Sequence, residues 1–211
     1  EEQKIVLKEF VKDGFFTSNF YFTGGTALSE VYLKHRYSED LDFFSFTDFD
    51  VRTITQRISS WSKKHNFSFE ERFIDPTHIF FLKFKKNVQI KVDFAYYQYQ
   101  RLEKPSLYKQ SIQVDSVLDI AVNKLLSVKQ RREVKDYVDL YFLLEKFTFW
   151  DLKEGVRIKF NLEIEPLIAA ADFLAVEDFE FLPRMIKPLR LEKLKVYFRK
   201  EAKKLGSTAV K

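Results

Sequence analysis

Two aspartates, spaced two residues apart, are the residues in this sequence best suited to metal chemistry. Asp40 and Asp42 flank the start of an aromatic segment, Leu41–Phe46, whose alternation is typical of a β-strand. Because strand side chains alternate, both carboxylates are expected on one face, roughly 6.5 to 7 Å apart. Carboxylate oxygens are the ligands that Mg²⁺ and Mn²⁺ prefer. The spacing therefore predicts a shared divalent-cation site.

A third aspartate, Asp93, lies in a later predicted strand, Val88–Tyr97. Val92 and Phe94 share one face of that strand, so Asp93 projects from the other, beside Lys91. If the two strands are neighbours, three carboxylates converge and can hold two metals, an arrangement suited to nucleotidyl transfer. A lone acid in a polar row is also common as a surface charge, and that alternative stays open.

A double glycine, Gly24 and Gly25, separates a predicted strand, Phe20–Thr23, from a predicted helix. Glycine lets the backbone approach a phosphate closely. The N-terminus of a helix beginning near Thr26 would supply oriented N–H groups and the positive end of its dipole. The segment therefore predicts a turn that could cradle the phosphates of a bound NTP, although double-glycine turns alone are common.

The hydrophobic pattern indicates which elements position these residues. The predicted strands are 20–23, 41–46, 78–84 and 88–97, and the predicted helices are 4–13, 26–36, 51–64 and those that fill the chain after Pro105. The last two strands read as a hairpin that turns at residues 85–87. Strands followed by helices predict an α+β fold.

Composition excludes several classes of protein. The 211 residues are 45% hydrophobic and include 24 Phe, which excludes intrinsic disorder. The absence of Cys excludes disulfide frameworks, thiolate zinc sites and a cysteine nucleophile. No signal peptide or membrane span is visible, so we expect a cytoplasmic protein with no membrane partner.

The positive charge is concentrated at the C-terminus. The net charge is +5, and residues 184–211 contain ten Lys and Arg against two acidic residues. Such a segment either binds nucleic acid or forms a solvated helix face.

Three sequence blocks resemble the AbiEii family of toxin nucleotidyltransferases, within the DNA-polymerase-β-like superfamily. FTGGTALSEVYLKHRYSEDLDFFSF (22–46) is similar to the family's GG-x-A-L and R-x-S-x-D-x-D-F signature. IKVDF (90–94) falls where the family keeps its third acid. DIAVNKLLSVKQRREVKDYVDLYFLL (119–144) is similar to its A-x-x-K and R-x-x-K-D-x-x-D-L helices, whereas the region after Leu152 hardly resembles the family.

The resemblance implies both an architecture and a set of site residues. The expected architecture is α+β: a nucleotidyltransferase core at 1–110, with a small mixed sheet flanked by helices, and a helical C-terminal lobe at 111–211. The implied residues are Asp40, Asp42 and Asp93 as ligands of Mg²⁺ or Mn²⁺, Gly24, Gly25 and Thr26 on the phosphate side, Arg36 and Ser38 contacting phosphate or orienting the acids, Lys124 on the triphosphate, and Asp136 as a further active-site acid.

Several of these residues have structural alternatives. Lys124 flanks an apolar helix stripe and could lie at the edge of the core. Asp136 and Asp139 share a helix face and could pair with Arg132 or Lys135. Arg36 could cap the C-terminal end of its helix.

The expected function is transfer of a nucleoside monophosphate from an NTP to a hydroxyl of RNA or protein. The resemblance implies a toxin with a separately encoded antitoxin, and tRNA, with its free 3′ hydroxyl, as the leading acceptor. The alternatives are an inactive nucleotide- or RNA-binding module on the same fold, and an interaction protein whose acids are surface charges.

Overall fold

The computed structural model of the protein describes residues 2–208, so residues 1 and 209–211 of the predicted ranges lie outside the described residues. The chain divides into two compact units. The first contains the residues up to Ala27, Ser38–Gln100 and Lys104–Asp115; the second contains Leu28–Tyr37, Arg101–Glu103 and the chain from Ser116 onward. The functional division at residue 110 stays a prediction.

The first unit is built on one mixed sheet. Its seven described strands have the order β3-β4-β5-β2-β1-β7-β6. They are β1 (Tyr21–Thr23), β2 (Leu41–Ser45), β3 (Ser68–Ile74), β4 (Thr77–Lys83), β5 (Gln89–Tyr96), β6 (Ser106–Tyr108) and β7 (Ile112–Val114). Strand β2 runs parallel to β5 and antiparallel to β1, while β1 runs parallel to β7. The two strands that carry the aspartates are therefore direct neighbours.

Phenylalanines cover one face of this sheet. The first unit contains α1 (Glu2–Lys12), α2 (Gly14–Asn19), α3 (Gly24–Ala27) and α4 (Val51–His65). Phe43 of β2 and Phe94 of β5 are fully buried. The Phe10 ring centroid lies 4.0 Å from that of Phe43, and the Phe16 centroid lies 5.5 Å from that of Phe94. Because alternate residues face opposite sides, this packing leaves the aspartates on the other face.

The second unit is helical. It contains a π-helical turn (Leu28–Leu33), α5 (Val117–Arg131), α6 (Val134–Leu143), α7 (Phe149–Phe160), α8 (Pro166–Leu174), a 3₁₀ turn (Ala175–Asp178) and α9 (Leu191–Thr208). Phe198 of α9 lies in its core, with its ring centroid 5.2 Å from that of Tyr137 and 5.1 Å from that of Phe173. Together, the sheet and this helical unit confirm the predicted α+β fold class.

The hydrophobic pattern of the sequence did not predict the short strands β6 and β7 or the edge strand β3. The chain after Pro105 begins as the β6–β7 hairpin rather than as helix, and the prediction there was wrong. Three-residue strands carry too little alternation to be recognised, and β7 is fixed by distant pairing of Val114 with Phe22. Strand β3 was also missed, because it is an exposed, charged edge.

The helix after the double glycine differs from the prediction at both ends. It begins at Gly24 itself, with no separate turn, and its π-helical continuation ends at Leu33 rather than Arg36. Among residues 2–208, none of the helices has both the length and the apolar character needed to cross a bilayer.

Candidate active site

Asp42 and Asp93 are brought together by strand register. In the parallel pairing of β2 with β5, Asp42 is the register partner of Asp93, and Leu41 is the partner of Val92. Register partners point to the same face of a sheet, so the two carboxylates are neighbours. Asp93 is buried, and Asp42 is partly exposed. The predicted convergence of these two acids follows directly from the strand order.

Gly24 lies against the carboxylate of Asp42. Its φ angle is +73°, in the left-handed region that favours glycine. A Cβ added at Gly24 would lie 2.0 Å from Oδ2 and 2.7 Å from Cγ of Asp42. The glycine is therefore required both by the backbone conformation and by the space that Asp42 occupies. Its neighbour Gly25 is buried within α3.

Thr26 anchors the segment that carries Asp40. Its hydroxyl donates a hydrogen bond to the backbone carbonyl of Asp40, and the threonine is buried. Two residues earlier, the carbonyl of Ser38 accepts a hydrogen bond of 2.9 Å from the Gln3 side chain. These bonds fix the backbone immediately before β2, which makes Thr26 a positioning residue for Asp40.

A lysine lies on the same sheet face as Asp42 and Asp93. The Nζ atom of Lys91 lies 2.5 Å from Oδ2 of Asp93. Burial by itself would lower the pKa of Lys91, but the hydrogen bond that Lys91 donates to Asp93 and the charges of Asp93, Asp40 and Asp42 outweigh burial and raise that pKa above its ordinary value. The three carboxylates thus form one negative field that favours a cation.

The carboxylate oxygens of the three aspartates are suitable ligands for a divalent metal ion, but in this structure Asp93 is paired with Lys91. The carboxylates of Asp40, Asp42 and Asp93 would supply the hard oxygen ligands that Mg²⁺ or Mn²⁺ prefers. Within residues 2–208, however, no three or more His, Cys, Asp or Glu side chains are already gathered as a metal site.

The remaining predicted residues, apart from Ser38, lie in the second unit, around the buried acid Asp139. Its carboxylate accepts hydrogen bonds from Nε and Nη2 of Arg36, at 2.6 and 2.8 Å, and lies 2.7 Å from Nε2 of His35. Burial alone would raise the pKa of Asp139, but the charge of Lys124 and the bonds from Arg36 and His35 hold it well below its ordinary range. Arg36 thus bonds this acid, a role that sequence pattern did not indicate.

Lys124 bridges two buried acids. Its Nζ atom lies 2.7 Å from Oδ1 of Asp136 and 2.7 Å from Oδ2 of Asp139. Both acids are fully buried, and the lysine side chain is only 6% exposed. Burial opposes the charge on Lys124, but the two aspartates outweigh it and raise the lysine's pKa. Asp136 also accepts from Nε of Arg131 at 2.7 Å.

The partners anticipated for the acids of α6 are different ones in the structure. Arg132 lies 3.6 Å from Asp172, and Lys135 lies 2.9 Å from Glu133. Asp136 instead pairs with Lys124 and Arg131. The catalytic roles of Lys124 and Asp136 stay predictions, and the geometry adds a structural role to both.

Replacing Lys124 by Met is expected to lower the free energy of unfolding by about 3–5 kcal/mol, because it removes one partner of a buried ion cluster. Urea unfolding measures the change. The matched control is Lys135→Met, which removes a half-exposed pair worth under about 1 kcal/mol. Unchanged stability with weaker NTP binding would instead show that Lys124 acts on the nucleotide.

Sequence reasoning gave no role to two buried groups that the structure brings together. The carboxylate of Asp119 accepts from the backbone N–H groups of Leu102 and Glu103, at 3.0 and 3.2 Å, and pairs with Lys159 at 2.7 Å. No local pattern predicts a pairing across forty residues.

The pairing of Lys91 with Asp93 could have been predicted from the sequence, since alternation already placed Lys91 beside Asp93.

Comparison with known proteins identifies a matching family. The model of the family described as "Nucleotidyl transferase AbiEii toxin, Type IV TA system" matches residues 5–205. An uncharacterised protein of Aquifex aeolicus, aq_aa25, is 36% identical over 157 residues, which cover 73% of this chain and 70% of that protein.

Solved structures share the fold. JHP933 from Helicobacter pylori aligns with a TM-score of 0.61 at 19% identity, covering 98% of this chain and 90% of that one. MenT4, a nucleotidyltransferase toxin from Mycobacterium tuberculosis, aligns with a TM-score of 0.55 at 15% identity, covering 96% and 82%. The common fold extends over nearly the whole chain.

Proposed function

Because the chain belongs to the AbiEii family of toxin nucleotidyltransferases, we propose that it moves a nucleoside monophosphate from an NTP to a hydroxyl acceptor, with Mg²⁺ or Mn²⁺ held by Asp40, Asp42 and Asp93. Membership of the family establishes the enzyme class, a nucleotidyltransferase of the toxin type. The metal, the acceptor and the individual residue roles are the proposal.

The observation that carries the proposal is the pairing of Asp42 with Asp93 beside Gly24. Register places both carboxylates on the sheet face opposite the phenylalanine core. The missing Cβ of Gly24 is what leaves room for the Asp42 carboxylate. Acids held on paired strands and backed by a rigid core suit metal ligands that must not move when substrate binds.

The reaction is a substitution at the α-phosphorus of the NTP. The acceptor hydroxyl loses its proton to solvent and forms the new P–O bond, the bond from the α-phosphorus to the oxygen that bridges to the β-phosphate breaks, and pyrophosphate leaves. When bound, the divalent ion supplies activation of the hydroxyl and neutralisation of the phosphate charge. The carboxylates of Asp40, Asp42 and Asp93 would hold and orient this ion. Gly24 and Gly25 would line the phosphate side.

The remaining residues enter the proposal through the family resemblance. Lys124 would contact the triphosphate as a charge-assisted donor, Asp136 would be a further active-site acid, and Arg36 and Ser38 would contact phosphate or orient the acids. The ion pairs of Lys124 in the second unit are compatible with a second role, in which it holds Asp136 and Asp139.

RNA is the acceptor that charge favours. Helix α9 buries Leu194, Phe198 and Ala202 and exposes Lys200 and Lys203. Exposed cations attract a polyanion and release its counterions. Some α9 cations are already engaged, since Arg199 lies 2.5 Å from Glu177.

Within RNA, the free 3′ hydroxyl of tRNA suits the chemistry. The proposal includes a cognate antitoxin and places the reaction in the cytoplasm, where NTPs and tRNA are found.

Incubation of the protein with each labelled NTP, Mg²⁺, total RNA and total protein tests the proposal. We expect label at RNA 3′ ends, lost when the metal is chelated. Label on protein alone would contradict the RNA acceptor. Nucleotide binding without transfer to either pool would favour an inactive binding module on the same fold.

A further inference from the structure

We propose that Lys91 is a built-in cation of the carboxylate site, which holds Asp93 when no metal is bound and must leave it before a divalent ion can bind. The inference rests on the proposed function, in which Asp40, Asp42 and Asp93 are the metal ligands. It assigns to Lys91 a positioning role that neither the sequence signature nor the enzyme class requires.

The position of Lys91 follows from strand alternation. It precedes Asp93 by two residues on β5, so both side chains emerge on the same face. Their charged atoms, Nζ and Oδ2, are 2.5 Å apart. The lysine side chain is 30% exposed and the Asp93 side chain 12%. The pair is therefore shielded from solvent enough to be strong, while the lysine keeps a path to water.

The other two aspartates act on Lys91 through their charges. Leu41 pairs with Val92 and Asp42 with Asp93, so the chain position next to Lys91 across the two strands is that of Asp40. The charges of Asp40 and Asp42 both act on the Lys91 ammonium and favour its charged form. One lysine thus lies in the field of all three proposed ligands.

A cation in this position competes with a metal ion. The oxygen of Asp93 that accepts from the ammonium cannot present the same lone pair to Mg²⁺, and a second positive charge nearby repels the metal. The flexible four-carbon stem of lysine allows the ammonium to move to solvent without any change in the strand.

The same lysine stabilises the metal-free protein. The three carboxylates repel each other, and Lys91 offsets that repulsion. Loss of its charge should therefore have opposite effects on the two states: a less stable metal-free protein and a tighter metal complex. If Lys91 formed only a surface ion pair, loss of its charge would leave both the stability of the metal-free protein and the affinity for metal nearly unchanged.

Mn²⁺ binding to the full chain, measured by calorimetry or by the electron paramagnetic resonance of free Mn²⁺, tests the inference without any activity assay. We expect Lys91→Met, which keeps the length of the side chain and removes its charge, to tighten Mn²⁺ binding by about tenfold or more. Lys91→Arg keeps the charge and should bind Mn²⁺ nearly as weakly as the parent. Lys83→Met is the matched control, because Lys83 lies on β4 of the same sheet and pairs with Glu70 instead.

Melting temperatures give a second measurement. Lys91→Met should melt below the parent without metal and should gain more from added Mn²⁺. If the parent binds Mn²⁺ and Lys91→Met binds it no more tightly, the role of Lys91 is wrong, whereas the proposed metal ligands are unaffected. If neither protein binds Mn²⁺, the metal ligands of the proposed function are wrong and the role of Lys91 fails with them.

Discussion

Replacing Asp42 by Asn is expected to lower nucleotidyl transfer by about a thousandfold or more, roughly 4 kcal/mol of transition-state stabilisation. Asn keeps the size of Asp but loses the negative charge that a metal ligand supplies. The paired Asp93 would then face a neutral amide across the strands. Because Asp42 lies on the partly exposed side of β2, opposite the buried Leu41 and Phe43, the fold should change little.

Transfer of labelled nucleotide, measured under single-turnover conditions, gives the size of the loss, and circular dichroism with thermal unfolding checks the fold. The matched control is Asp48→Asn, the same substitution at an exposed acid shortly after β2. Its transfer rate should equal that of the parent. A parent-like rate in Asp42→Asn would remove Asp42 from the active site.

Replacing Gly24 by Ala is expected to lower transfer by at least about a hundredfold, because a displacement of the order of 1 Å at a reacting centre costs that much. The new Cβ would lie 2.0 Å from Oδ2 of Asp42, so the carboxylate must move. The left-handed φ of Gly24 adds about 1–2 kcal/mol of backbone strain. Activity should therefore fall by more than the loss of stability explains.

The control for Gly24→Ala is Gly14→Ala, where an added Cβ meets nothing within 4 Å. It should leave both transfer and stability near the parent values. Comparison of transfer rates with unfolding free energies for the two variants separates the two effects of the glycine. If Gly24→Ala retains full transfer at reduced stability, the glycine serves the backbone and not the Asp42 carboxylate.

Local properties of the site were determined by the sequence. Period-two alternation placed Asp40 and Asp42 opposite Leu41 and Phe43, and the burial along β2 agrees with that arrangement. The β4–β5 hairpin and its turn at residues 85–87 were predicted for the same reason. The family followed from the signature, because motif residues hold fixed spacings along the chain. All of these features depend on neighbours within a few positions.

The tertiary structure alone decided which distant residues meet. Alternation could not establish that β2 lies next to β5, that Gly24 contacts Asp42, or that Lys124 bridges Asp136 and Asp139. Strand order depends on the burial of the whole phenylalanine core, to which residues far apart in sequence contribute. A buried charge must find an opposite charge wherever the fold supplies one, because leaving it unpaired costs several kcal/mol. For that reason the face of each acid could be deduced from its own strand, whereas its partners could not.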